Sequence, residues 1–114
     1  MLTVTARRDK AGIRSISAEG HTGFADHGSD IVCASISSLM QALWLGLEDV
    51  IGVKNLDVES DPEIPLMRLA WGSKNSKIDS TQVLARTIFL SIKAIADDYP
   101  GYVKVNEVKE DNRT

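Results

Sequence analysis

The sequence predicts an α+β fold: an antiparallel sheet built from two hairpins plus a last strand, in the order ββαββαβ, with two helices, one of them central. Three observations lead there. Two pairs of short segments are separated by turn residues, two long stretches carry apolar residues at three- and four-residue steps, and a final short alternating run follows a Pro-Gly stop.

Leu2, Val4 and Ala6 alternate with Thr3, Thr5 and Arg7, the period of a half-buried strand. Asp9-Lys10-Ala11-Gly12 supplies a hairpin turn and Ile13 to Glu19 the second strand. Ile13 and Ile16 are three apart, so a bulge is needed to put both on one face. Gly20 to Ser29 reads as a loop, with three glycines and few large apolar residues. From Ile31 to Ile51 the pattern is helical, with Val32, Ile36, Leu39, Leu43 and Leu47 as its stripe. Met40, Ala42, Trp44 and Leu45 widen that stripe, so the helix is expected to be buried on most sides, and Gly52 ends it.

Val53 to Ser60 and Ile64 to Trp71 form the second hairpin around Asp61-Pro62-Glu63, followed by a polar loop from Gly72 to Lys77. Asp79 or Ser80 caps the second helix. Leu84, Ile88, Ile92, Ile95 and Tyr99 mark its buried side, and Pro100-Gly101 stops it. Tyr102 to Val108 makes the last strand, and the charged tail from Lys109 to Thr114 is expected to fray.

With 114 residues, 43% hydrophobic and 25% charged, the chain suits a single domain, residues 1–114, whose core needs no metal or disulfide. A formal charge of −3 argues against a general polyanion-binding field and against broad nucleic-acid binding, while leaving room for a basic peptide in a local groove. The one cysteine excludes an internal disulfide and fits a reducing compartment. The N-terminus turns polar at once, and no apolar run is expected to reach the roughly 18–20 residues of a membrane span, so a soluble cytoplasmic protein is expected.

Chemistry concentrates in Gly20-His21-Thr22-Gly23-Phe24-Ala25-Asp26-His27-Gly28-Ser29-Asp30-Ile31-Val32-Cys33. With Asp30 as N-cap, Cys33 is the third helical residue, where free backbone N–H groups and the helix dipole favour a thiolate. His21 lies within loop reach as a proton acceptor and donor, and first-turn N–H groups suit a tetrahedral oxyanion. The glycines at 20, 23 and 28 let the loop close over a substrate, with Phe24 its one large apolar residue. Ser37, one turn beyond Cys33, could support the thiolate, and Asp30 could orient His21 instead of capping. A lone cysteine in an amphipathic helix is more often a small buried hydrophobe, and His21 and His27 also read as ordinary loop residues. No His, Asp and Cys pair here has a recognised zinc spacing, Gly20-His21-Thr22-Gly23 lacks a phosphate loop's ending, and Ser35, Ser37 and Ser38 read as solvent-facing or back-bonded.

The string GHTGFADHGSDIVCASISSL resembles the signature of the Prp, or YsxB-like, family of ribosomal-processing cysteine proteases. The pattern is met by Gly20, His21, Gly23, Phe24, Ala25, Gly28, Asp30, Ile31, Val32, Cys33 and Ala34, with Thr22 and Ser35 more polar than the small residues the pattern favours. The resemblance implies Cys33 as nucleophile, His21 as acid–base partner, a homodimer and no cofactor. It also implies a substrate: the precursor of a large-subunit ribosomal protein, which loses a short N-terminal extension. The reading from another class is a non-catalytic ribosome-assembly or ribosomal-protein-binding factor with a structural Cys33.

Overall fold

Leu2–Asp9 forms β1, and its even positions Leu2, Val4 and Ala6 are buried while Thr3 and Thr5 lie half-buried on the opposite face. The computed structural model describes residues 1–20, 27–61, 66–72 and 78–110. At the end of β1 the Asp9 carboxylate accepts the Ala11 N–H at 2.8 Å, an Asx turn that reverses the chain into β2, Gly12–Glu19. Gly12 has φ +118°, which only glycine adopts cheaply.

The expected bulge is present. Arg7 pairs with Ser15 and Arg8 with Ile13, so Arg14 is the extra residue, and both Ile13 and Ile16 reach the core. A side chain then stands in for a neighbouring strand. The Ile13 N–H donates to Gln82 Oε1 at 2.8 Å and the Gln82 amide donates back to the Ile13 carbonyl at 2.7 Å.

The first helix, α1, runs His27–Leu45 and continues into a π-helical turn, Gly46–Ile51, that ends at Gly52 with φ +76°. Three expectations change here. The segment His27 to Ser29 is helical, where the glycine density predicts loop. A single Gly28 costs only about 1 kcal/mol in a helix, and extending an existing helix is far easier than nucleating one. The helix is also buried along one stripe, not on most sides: Val32, Ile36, Met40, Leu43 and Leu47 are in the core, whereas Ile31, Leu45 and Val50 face outward. And the segment Ile31–Ile51 is, by length and composition, apolar and long enough to cross a membrane. Its stripe packs on the sheet in this fold.

Asp57–Asp61 and Leu66–Ala70 form β3 and β4, an antiparallel pair. The second helix, α2, spans Ile78–Asp98 and begins one residue before the expected cap, so Asp79 and Ser80 belong to its first turn. Thr81, Ala85, Ile88, Phe89 and Ile92 are its buried residues. Val103–Lys109 forms β5.

The five strands are ordered β3-β4-β2-β1-β5. Both hairpins are antiparallel, as expected, but β5 runs parallel to β1, so the sheet is mixed. The reason is topological. β1 and β4 are each antiparallel to β2, and α2 is a crossover that carries the chain from the end of β4 back to its starting side. The strand after α2 therefore points the same way as β4 and β1. Val4, Ala6, Ile16 and Leu69 from the sheet meet Val32, Ile36, Leu43, Ile88 and Ile92 from the helices in one core. At Gly46 the π turn comes so close to α2 that an added Cβ would lie 2.5 Å from a Leu84 methyl.

Candidate active site

Cys33 lies on the second turn of α1 and is partly buried. Its neighbours Ile36, Ser37 and Met40 follow at steps of three, four and seven, so the four side chains share a helix face. That face forms one wall of a cavity of about 240 Å³. The opposite walls come from the ends of four segments: Leu2 at the start of β1, Ala18 and Gly20 at the end of β2, Asp61 at the end of β3, and Leu66 and Met67 at the start of β4. The lining is mainly apolar, with a thiol, a hydroxyl and one carboxylate as its reactive or polar side chains, and a side-chain-sized volume.

Gly20 lines this cavity at the end of β2. Its φ is +92°, and an added Cβ would lie 2.9 Å from the Met1 carbonyl oxygen, so the chain turns out of β2 where only glycine fits. His21 is the next residue in the chain. His21, Gly23 and Phe24 lie outside the described residues, and nothing is placed for them here.

The helix start changes two expected roles. Asp30 is the fourth residue of α1, not its N-cap, and Cys33 is the seventh. The N–H groups that lack an intrahelical partner thus belong to the turn beginning at His27, one turn before the sulfur. Gly28 is helical, where the sequence predicts loop. Ser37 does share the cavity with Cys33. Ser35 is back-bonded, its hydroxyl donating to the Ile31 carbonyl at 2.8 Å. Among the described residues, no group of three His, Cys, Asp or Glu side chains is placed to hold a metal ion.

Sequence reasoning missed Asp61 and the apolar wall of Leu2, Ala18, Leu66 and Met67. The alternation of β1 and β2 marks Leu2 and Ala18 as inward-facing. That the ends of four strands converge on Cys33 follows only from the strand order.

A thiol on the helix face that walls an apolar cleft suits a cysteine hydrolase acting on a chain that enters the cleft. Residues 1–104 match the sequence model of the family described as Cysteine protease Prp. The chain belongs to that family, and is a cysteine protease. It is 32% identical over 92 residues to the ribosomal processing cysteine protease Prp of Mycoplasma genitalium, covering 79% of this chain and 84% of that one. To the Bacillus subtilis protein of the same name it is 28% identical, covering 92% and 96%. Among solved structures, a Streptococcus mutans protein superposes with a TM-score of 0.82 at 27% identity, covering 96% of each chain. The Prp of S. aureus in complex with a substrate peptide has the same fold, with a TM-score of 0.82 at 20% identity over 94% of this chain and 99% of that one.

Proposed function

We propose that this protease removes a short N-terminal extension from the precursor of a large-subunit ribosomal protein, with Cys33 as nucleophile and His21 as acid–base partner. The observation that carries the reading is the cavity that Cys33 and Gly20, the residue before His21, both line. A peptide entering along the strand ends would bring its carbonyl to the sulfur while the loop supplies the imidazole. His21 takes the thiol proton, the thiolate attacks the scissile carbonyl to give an acyl-enzyme, and the imidazolium returns its proton to the departing amine. Water then releases the acid and restores the thiol. The names of the relatives from M. genitalium and B. subtilis, which call them ribosomal processing proteases, support the substrate class. An apolar lining suits an apolar side chain beside the scissile bond, and the Asp61 carboxylate suits a basic substrate. A homodimer working in the cytoplasm completes the proposal.

The test is incubation of the purified protein with the extended ribosomal protein, read by mass spectrometry. A single N-terminal cleavage that requires Cys33 is the expected result. An intact precursor after prolonged incubation under reducing conditions would refute it.

A further inference from the structure

At the end of the sheet away from Cys33, a second cleft of about 450 Å³ opens between the β1–β2 turn, α2 and β5. Its lining includes Arg8, Lys10, Arg86 and Lys93 against a single carboxylate, Glu107. Glu107 is already engaged by Arg8 at 3.5 Å, so the cleft is strongly cationic in a protein whose net charge is −3. Lys10, Arg86 and Lys93 form no ion pair among the described residues. The cations come from different elements: Arg8 from β1, Lys10 from the turn, Arg86 and Lys93 from α2. Arg86 and Lys93 are seven residues apart, two turns on one helix face and about 10 Å along the axis.

The floor is built before any ligand arrives. Phe89, only 3% exposed, lies between the two α2 cations, with Lys93 Nζ 5.8 Å from its ring centroid. Ile13 is buried and tied by two hydrogen bonds to Gln82, which fixes the turn against α2. Leu2 starts β1 and Arg8 is its last residue but one, six residues or about 20 Å away, so this cleft is separate from the cysteine cavity.

We propose that the cleft is a binding site for phosphate esters. A lone carboxylate cannot span cations two helical turns apart, whereas linked phosphates present several anionic oxygens to a guanidinium fork and to ammonium groups at once. A single-stranded RNA backbone and a free nucleoside polyphosphate share that chemistry. The net charge averages over the whole surface and hides a local patch of this kind.

Binding of a fluorescent single-stranded oligoribonucleotide and of adenosine diphosphate to the full chain, at low and moderate salt, tests the proposal. Saturable binding that weakens with salt is expected. Arg86→Glu and Lys93→Glu should each reduce affinity at least about tenfold, the loss of one charge-assisted hydrogen bond. Lys104→Glu, outside the cleft, should leave it unchanged. The variants should still cleave precursor, and Arg86→Gln and Lys93→Gln should repeat the ranking with smaller losses. Binding of the RNA alone assigns the source to a backbone, and of the nucleotide alone to a free ligand. Failure of both probes, equal binding of a polyglutamate peptide, or affinities unmoved by the α2 variants would overturn the assignment.

Discussion

Replacing Cys33 by Ala removes the sulfur and leaves a good helix former on α1. Cys33→Ala should abolish cleavage of the precursor while the thermal unfolding curve stays near that of the parent protein; undiminished cleavage would return Cys33 to a packing role. His21→Ala should lower turnover by at least about 10²-fold, the low end for a general acid–base group. His27 is the first residue of α1, six positions beyond His21 in the chain. His27→Ala should therefore cost much less, and single-turnover kinetics on both variants decides between them. Gly20→Ala tests a different property of the site. With φ +92° and a backbone oxygen 2.9 Å from the new Cβ, alanine there is strained and crowded by an atom that cannot move cheaply. A loss of about 1–3 kcal/mol in urea unfolding is expected from strain of this kind, together with slower cleavage because the strand end that leads into His21 is displaced.

The junction of the β1–β2 turn with α2 depends on one amide. Gln82 satisfies both backbone groups of Ile13 at a point where the bulge interrupts regular pairing, and Gly12 leaves the room that the amide occupies. Gln82→Ala strands a half-buried donor and acceptor, and should cost about 1–3 kcal/mol in equilibrium unfolding. Gln82→Leu should be at least as damaging, since it fills the volume without the hydrogen bonds. A neutral result for both would mean that water replaces the amide at little cost. Nearby, Asp9 is fully buried and 3.3 Å from Arg14, which in turn reaches Glu110 at 3.4 Å. The Asp9–Arg14 contact is misaligned for a hydrogen bond and acts through charge, so the Asx turn to Ala11 is the firmer part of the arrangement.

Packing of the two helices against each other is set at Gly46. Leucine at that position would overlap the Leu84 side chain, and Gly46→Leu should destabilise by about 1–3 kcal/mol, the usual range for overpacking. Leu84→Ala in the same protein should recover part of the loss. A double-mutant cycle with no coupling would show that the π turn shifts freely instead of pressing on α2. The cysteine cavity and the cationic cleft occupy opposite ends of β1, so the molecule separates an apolar reactive end from a positively charged one. Charge reversal on α2 should leave cleavage rates unchanged, and cysteine-site variants should leave anion binding unchanged.

Much of this was legible in the chain itself. Alternation in β1, the bulge demanded by Ile13 and Ile16, the helical stripes and the stops at Gly52 and Pro100-Gly101 are local signals, each carried by side-chain period or by a backbone that only glycine or proline suits. Element order follows from them, and the family follows from the residues around Cys33. What the sequence could not decide was non-local. The start of α1 at His27, which moves Cys33 to the second turn and Asp30 off the cap, reflects a helix whose burial outweighs a weak propensity at Gly28. The parallel pairing of β5 comes from the crossover geometry of α2. The meeting of Leu2, Gly20, Asp61 and Leu66 around the cysteine comes from a strand order that no local period encodes. Pairing partners far apart in the chain are chosen by the burial they achieve together, and that is a property of the assembled core.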